Sequence, residues 1–144
     1  LCGDANAEYA YLISRIKELE EKGIDLRSIC VITRTNKLLD EYKTQLTQAG
    51  FRVYEIKRSK SDDRSFEGVR IATMHRVKGL EFAYIFIVAA NDRVIPLATA
   101  INASDEASLE ESLTSERCLL YVSITRAQRE ASISGYGKLS EFLL

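Results

Sequence analysis

Six residues able to handle a phosphorylated ligand crowd one short stretch of this chain: Thr73, His75, Arg76, Lys78, Gly79 and Glu81, inside VRIATMHRVKGLEFAYIFI (residues 69–87). A hydroxyl and an imidazole can hydrogen-bond phosphate oxygens, the two cations can neutralise them, and a carboxylate accepts from sugar hydroxyls. Glycine lets a backbone approach a ligand closely. Apolar runs flank the polar segment, Val69–Thr73 before it and residues 83–90 after it, and both read as buried strands. In α/β proteins ligands dock outside the carboxyl ends of parallel strands, and these groups are expected there. An ordinary loop with solvated charges would have the same composition, and composition alone does not separate the two.

Two arginines elsewhere invite the same chemistry. Arg126 lies near the end of SERCLLYVSITRAQ (residues 115–128), the close of a helix in which Leu109, Leu113 and Leu120 share a face and Ser108 with Glu111 has capping-box spacing. It sits with Thr125 at the helix tip, ahead of a β-prone run at 131–134. Arg34 directly follows the apolar SICVIT run (28–33). A guanidinium stays charged and offers a planar fork of donors to phosphate. At such tips an arginine is also commonly just a surface charge.

The elements that must position these groups alternate. An amphipathic helix over 7–21 stops near Gly23; a strand covers 28–33; Thr35 caps a second helix carrying Leu38, Leu39, Tyr42 and Leu46 and ended by Gly50. A strand over 51–56 follows, then the polar KRSKSDDRSFEG (57–68), read as an exposed loop. Its basic residues Lys57, Arg58, Lys60 and Arg64 are interleaved with Asp62 and Asp63, so a solvated loop is favoured over a nucleic-acid patch. Residues 91–104 are irregular around Pro96, a long helix and a strand close the pattern, and 138–144 form a short last helix. Strands alternating with amphipathic helices predict a mainly parallel sheet with helices on both faces.

Bulk properties narrow the function. The 144 residues, with a formal net charge of −1, suit a single domain (1–144) whose nucleic-acid contacts, if any, come from a local stripe. No apolar run spans a bilayer and no signal peptide is visible, so no membrane partner and a cytoplasmic location are expected. Cys2, Cys30 and Cys118 lack metal-ligand spacing; Cys30 and Cys118 read as buried thiols, and no metal site is expected around His75, the lone histidine. None of the seven glycines opens a G-x-x-x-x-G-K-[ST] phosphate loop. LLDE (38–41) imitates an acidic strand end but lies on the second amphipathic helix.

THxxKGLEF, spelled T73-M-H-R-V-K-G-L-E-F82, closely resembles motif V of superfamily 1 helicases of the UvrD, Rep and PcrA type, and ER-x-LLYV-x-x-TRA resembles their motif VI. NAEYAYLISRIKEL and ICVITRTNKLLDEYKTQLTQAGFRVYEI are similar to the opening helix and motif IV region of the same domain. The resemblance implies a C-terminal, second RecA-like motor domain lacking its own phosphate loop, part of an ATP-dependent DNA helicase translocating on single strands with 3′→5′ polarity. It implies that Arg126 and Arg34 contact the ATP γ-phosphate, that Glu81 meets the ribose and Gly79 gives backbone access, and that Thr73, His75, Arg76 and Lys78 face the DNA backbone. Thr33 stands where family members often carry a base-stacking aromatic residue. ATP with Mg²⁺ would be held mainly by the N-terminal motor domain of the same protein, the other partner being single-stranded or partly duplex DNA. The 56–69 interval is too short for the large accessory insertion of many relatives. The rival expectation is a non-catalytic RecA-like module that binds protein or nucleic acid.

Overall fold

Side-chain alternation within the strands divides the interior into two apolar layers. In β1 (Ile29–Thr33) Ile29 and Val31 face one way and Cys30 and Ile32 the other, and every residue of the strand is buried. The first layer joins Val69 and Ile71 of β3 (Val69–Thr73) to Leu12, Ile16 and Leu19 of helix α1 (Ala5–Glu21) and to Leu39, Tyr42 and Leu46 of α2 (Asn36–Gln48). The second gathers Ala72, Met74, Val77, Ile85 and Ile87 under Leu120 of helix α3 (Glu106–Thr125). Strands β2 (Val53–Glu55), β4 (Phe82–Ile87) and β5 (Ala127–Ile133) complete one sheet, ordered β2-β3-β1-β4-β5, and all its pairings are parallel. The computed structural model describes residues 1–57 and 62–144; Arg58 and Lys60 lie outside them.

The predicted order of elements is the observed one, with shifted boundaries. Thr35 caps α2 by accepting from the Leu38 N–H, and Gly50, at φ +95°, supplies the left-handed residue after it. Helix α3 starts earlier than the Ser108–Glu111 pattern predicts. Asp105 is its cap, with Oδ1 accepting from the Ser108 N–H at 2.7 Å, so Ser108 stands inside the first turn. Strand β5 begins at Ala127, directly after the helix, instead of at 131. Its central residues, Gln128 to Glu130, are exposed because β5 is an edge strand, and no apolar pattern marks them. The last helix is one 3-10 turn, Glu141–Leu143.

The polar stretch before β3 departs from a merely solvated loop. Arg70, in the middle of β3, is fully buried. Its guanidinium donates to Asp62 Oδ1 (2.9 Å) and to the carbonyls of Asp63 (2.6 Å), Phe66 (2.6 Å) and Gly68 (2.7 Å), and it lies over the Tyr54 ring. A buried charge is tolerated when it is paired and its donors are satisfied, and this one draws residues 62–68 onto the sheet.

Candidate functional site

Strand polarity decides which groups meet. Arg34 follows the last residue of β1, and the 3-10 turn Met74–Arg76 follows the last residue of β3, so both lie at the carboxyl edge of the sheet. Glu81 and Arg126 immediately precede Phe82 and Ala127, which pair in register at the start of β4 and β5. They therefore lie at the amino edge. The segment from Met74 to Glu81 crosses from one edge to the other without an α-helix, wedged under α3 by Met74 and Val77. The expectation that all six groups sit at carboxyl strand ends is thus corrected: two of them, Gly79 and Glu81, are at the opposite end.

At the carboxyl edge a cavity of about 930 Å³ is lined by Arg34, Met74, His75 and Lys78 and, from α3, by residues including Ser112, Ser115 and Cys118. Thr73 is buried behind it at 7% exposure, whereas His75 and Lys78 are exposed and Arg76 is half-buried. The imidazole of His75 is held below its ordinary pKa, first by desolvation against the cavity wall and then by the positive charge of Arg34, with Glu116 opposing. Cys118 is exposed, contrary to expectation, because α3 turns its neighbours Leu119 and Leu120 toward the sheet; Cys30 is buried, and burial pushes its thiol pKa up.

Arg34 is not free. Its Nε donates to Glu116 Oε1 at 3.1 Å and its Nη2 to Oε2 at 2.9 Å, and Glu116 Oε1 also accepts from the Leu97 N–H at 2.7 Å. With Arg34 8% and Glu116 5% exposed, this is a buried bidentate ion pair. The sequence reading places Arg34 beside Arg126 at a phosphate. The structure puts it in the other cavity, its fork occupied by a carboxylate of α3.

At the amino edge a cleft of about 440 Å³ is lined by Asp62, Arg64, Gly79, Leu80, Glu81, Phe82 and Arg126. Arg126 is half-buried; its Nε donates to the Val122 carbonyl and its Nη2 to Thr125 Oγ1, both at 3.2 Å, and among the described residues it has no carboxylate partner. The Arg126 carbonyl accepts from the Phe82 N–H at 2.9 Å, which fixes the arginine's backbone to the end of the 74–81 segment. Glu81 is exposed and accepts from Gln128 Nε2 at 3.1 Å. Gly79 has φ +83° with open space where a Cβ would stand, leaving backbone accessible from solvent. The cleft therefore presents a cation with donors to spare, an acceptor and an approachable backbone.

Glu116 and Arg70 escape notice in the sequence, and Asp62 and Arg64 read there only as members of a solvated loop. For Glu116 the available signal was a carboxylate in a helical turn with Leu120, on the face expected to be apolar. For Arg70 it was an arginine inside an apolar strand.

Five parallel strands with α1 and α2 on one face and α3 on the other define a RecA-like α/β domain. Residues 53–137 match the UvrD-like helicase C-terminal domain, and the chain belongs to that family. Relatives include YjcD of Bacillus subtilis (strain 168), named as a candidate ATP-dependent DNA helicase, 34% identical over 81% of this chain and 14% of that protein. The ATP-dependent DNA helicase Rep of Escherichia coli (strain K12) is 33% identical over 74% of this chain and 16% of its own length. The chain thus spans about one seventh of the length of these relatives. The crystal structure of the C-terminal domain of a possible DNA helicase from Lactobacillus plantarum superposes with a TM-score of 0.72 at 20% identity, over 99% of this chain and 74% of that one. No helix among the described residues is long and apolar enough to cross a membrane.

Proposed function

We propose that this chain is the second motor domain of an ATP-dependent DNA helicase, whose amino-edge cleft meets ATP and whose carboxyl-edge cavity follows single-stranded DNA. The observation that carries the reading is the division of motif V between two sheet edges. Thr73, His75, Arg76 and Lys78 stay near the carboxyl edge, while Gly79 and Glu81 join Arg126 at the other. A motor must hold strand and nucleotide apart yet connected, and one short segment does both here.

In this reading Arg126 donates to the γ-phosphate, where its charge stabilises the transition state. Glu81 accepts from the ribose, and the Gly79 backbone borders the sugar and phosphates. Arg34 acts as a brace for α3, the helix that ends in Arg126. The chain has no phosphate loop, and among the described residues no three His, Cys, Asp or Glu side chains gather as metal ligands. The β-phosphate and Mg²⁺ are accordingly assigned to an N-terminal motor domain of the same protein, across the cleft. That domain and the nucleotide would close on this one, and closure is driven only so far as nucleotide binds the closed state more tightly than the open one.

The test is DNA-stimulated ATP hydrolysis by the full-length protein carrying Arg126→Ala. Arginine fingers contribute roughly 10³–10⁵ in rate, so a loss of at least about a hundredfold is expected. Turnover within about threefold of wild type would make Arg126 an ordinary surface cation.

A further inference from the structure

Removing Arg34 from the nucleotide side leaves a charge deficit. A polyphosphate carries several negative charges, and Arg126 alone would meet them with one. The cleft, however, is lined by a second guanidinium, Arg64, brought there from a distant part of the sequence.

Three observations say that Arg64 is placed there. Buried Arg70 pins the flanking backbone through the carbonyls of Asp63, Phe66 and Gly68. Arg27 and Arg64 clasp each other, each guanidinium donating to the other's carbonyl, at 3.0 and 3.1 Å. Only Nη1 of Arg64 is engaged, with the Arg27 carbonyl and with Asp62 Oδ2 at 3.0 Å; its Nε and Nη2 have no partner among the described residues. Asp62 does not cancel this charge, because its other oxygen compensates buried Arg70 at 2.9 Å. Two guanidinium groups, Arg64 and Arg126, and two carboxylates, Asp62 and Glu81, thus line the cleft, and Asp62 divides its charge between Arg64 and buried Arg70.

We infer that Arg64 is a second cation of the cleft, which binds the polyphosphate of the nucleotide through its free Nε and Nη2. The inference rests on the assignment of this cleft to ATP. Asp62 then holds Nη1 and leaves the other two nitrogens of the fork to phosphate.

The decisive measurement is equilibrium binding, by calorimetry, of a non-hydrolysable ATP analogue and of AMP to the full-length protein. Arg64→Ala should weaken analogue binding about tenfold, the lower range for hydrogen bonds to charged groups, and leave AMP affinity unchanged. Arg64→Lys should recover part of the loss, since the charge remains while the fork is gone. Arg27→Ala loosens the clasp that positions Arg64 and should weaken analogue binding less than Arg64→Ala does, with AMP affinity unchanged. Arg64→Ala within about twofold of wild type, with Arg126→Ala impaired, would overturn the role of Arg64 and leave the cleft assignment standing. An equal loss in Arg27→Ala, or an equal loss for AMP, would show a structural effect and overturn it too. Unchanged analogue binding in both Arg64→Ala and Arg126→Ala would instead remove the cleft assignment itself.

Discussion

The two edges of the sheet use the same residue type in opposite ways. At the carboxyl edge Arg34 is buried, forked onto Glu116 and enclosed by α3. At the amino edge Arg126 is half-buried and, among the described residues, is bonded only to its own helix end with no carboxylate paired to it. Both arginines follow an apolar run, and both look alike in sequence. What separates them is whether the fold supplies a counter-charge. An arginine already satisfied by the protein holds structure; one left unsatisfied at a cleft is available to a ligand.

Stability should split the pair most widely. Glu116→Ala strands a buried guanidinium, and breaking such a pair costs about 3–5 kcal/mol. At this chain length about 10 °C of Tm would follow, readable by thermal unfolding. Arg126→Ala should change unfolding free energy by less than about 0.5 kcal/mol, as for an ordinary surface substitution. Equal losses in the two variants would erase the distinction drawn here.

A middle-sized effect concerns the carboxyl-edge cavity. His75→Ala with Lys78→Ala should weaken single-strand binding by the full-length protein about tenfold and flatten its salt dependence, as expected when a phosphate contact and its released counterion are lost. ATP affinity should hold. If nucleotide binding fell as far as DNA binding, the two edges would not be separate sites.

The smallest effect is a pH dependence. The folded state holds the His75 pKa below its ordinary value of 6.5, so the unfolded chain takes up this proton more readily. The stability tied to this group is complete above that ordinary value, declines as pH falls through it, and levels off below the folded pKa. His75→Gln should remove that slope from unfolding measured across the window. An unchanged slope would show that neither burial nor the Arg34 charge shifts the ring.

Most of the architecture was legible because strands and helices carry different apolar periods, and because caps such as Thr35 and stops such as Gly50 are local signals. The edge strand β5 was not, since Gln128, Arg129 and Glu130 are solvent-facing and leave no hydrophobic pattern. Motif wording gathered Gly79, Glu81 and Arg126 without revealing at which end of the sheet they lie; that follows from the short crossing between β3 and β4. The Arg34–Glu116 pair joins residues 82 apart, and no local pattern encodes a contact of that kind. The same holds for Arg70, whose partners are chiefly backbone carbonyls of a loop that reads as solvated.

One buried group bears on the order in which the chain can be assembled. Glu8, in the first turn of α1, is fully buried; its carboxylate accepts from the Tyr42 hydroxyl, from the Ala89 N–H at 3.0 Å and from Ser134 Oγ at 2.7 Å. The last two partners lie 81 and 126 residues along the sequence. While the chain is emerging from a ribosome, this carboxylate has to remain hydrated until β5 and Ser134 have followed. Helix α1 can form by itself, but its docking waits until residue 134 has been made, as contacts of such long sequence separation require. The helix that opens this fold is therefore locked only after its last strand.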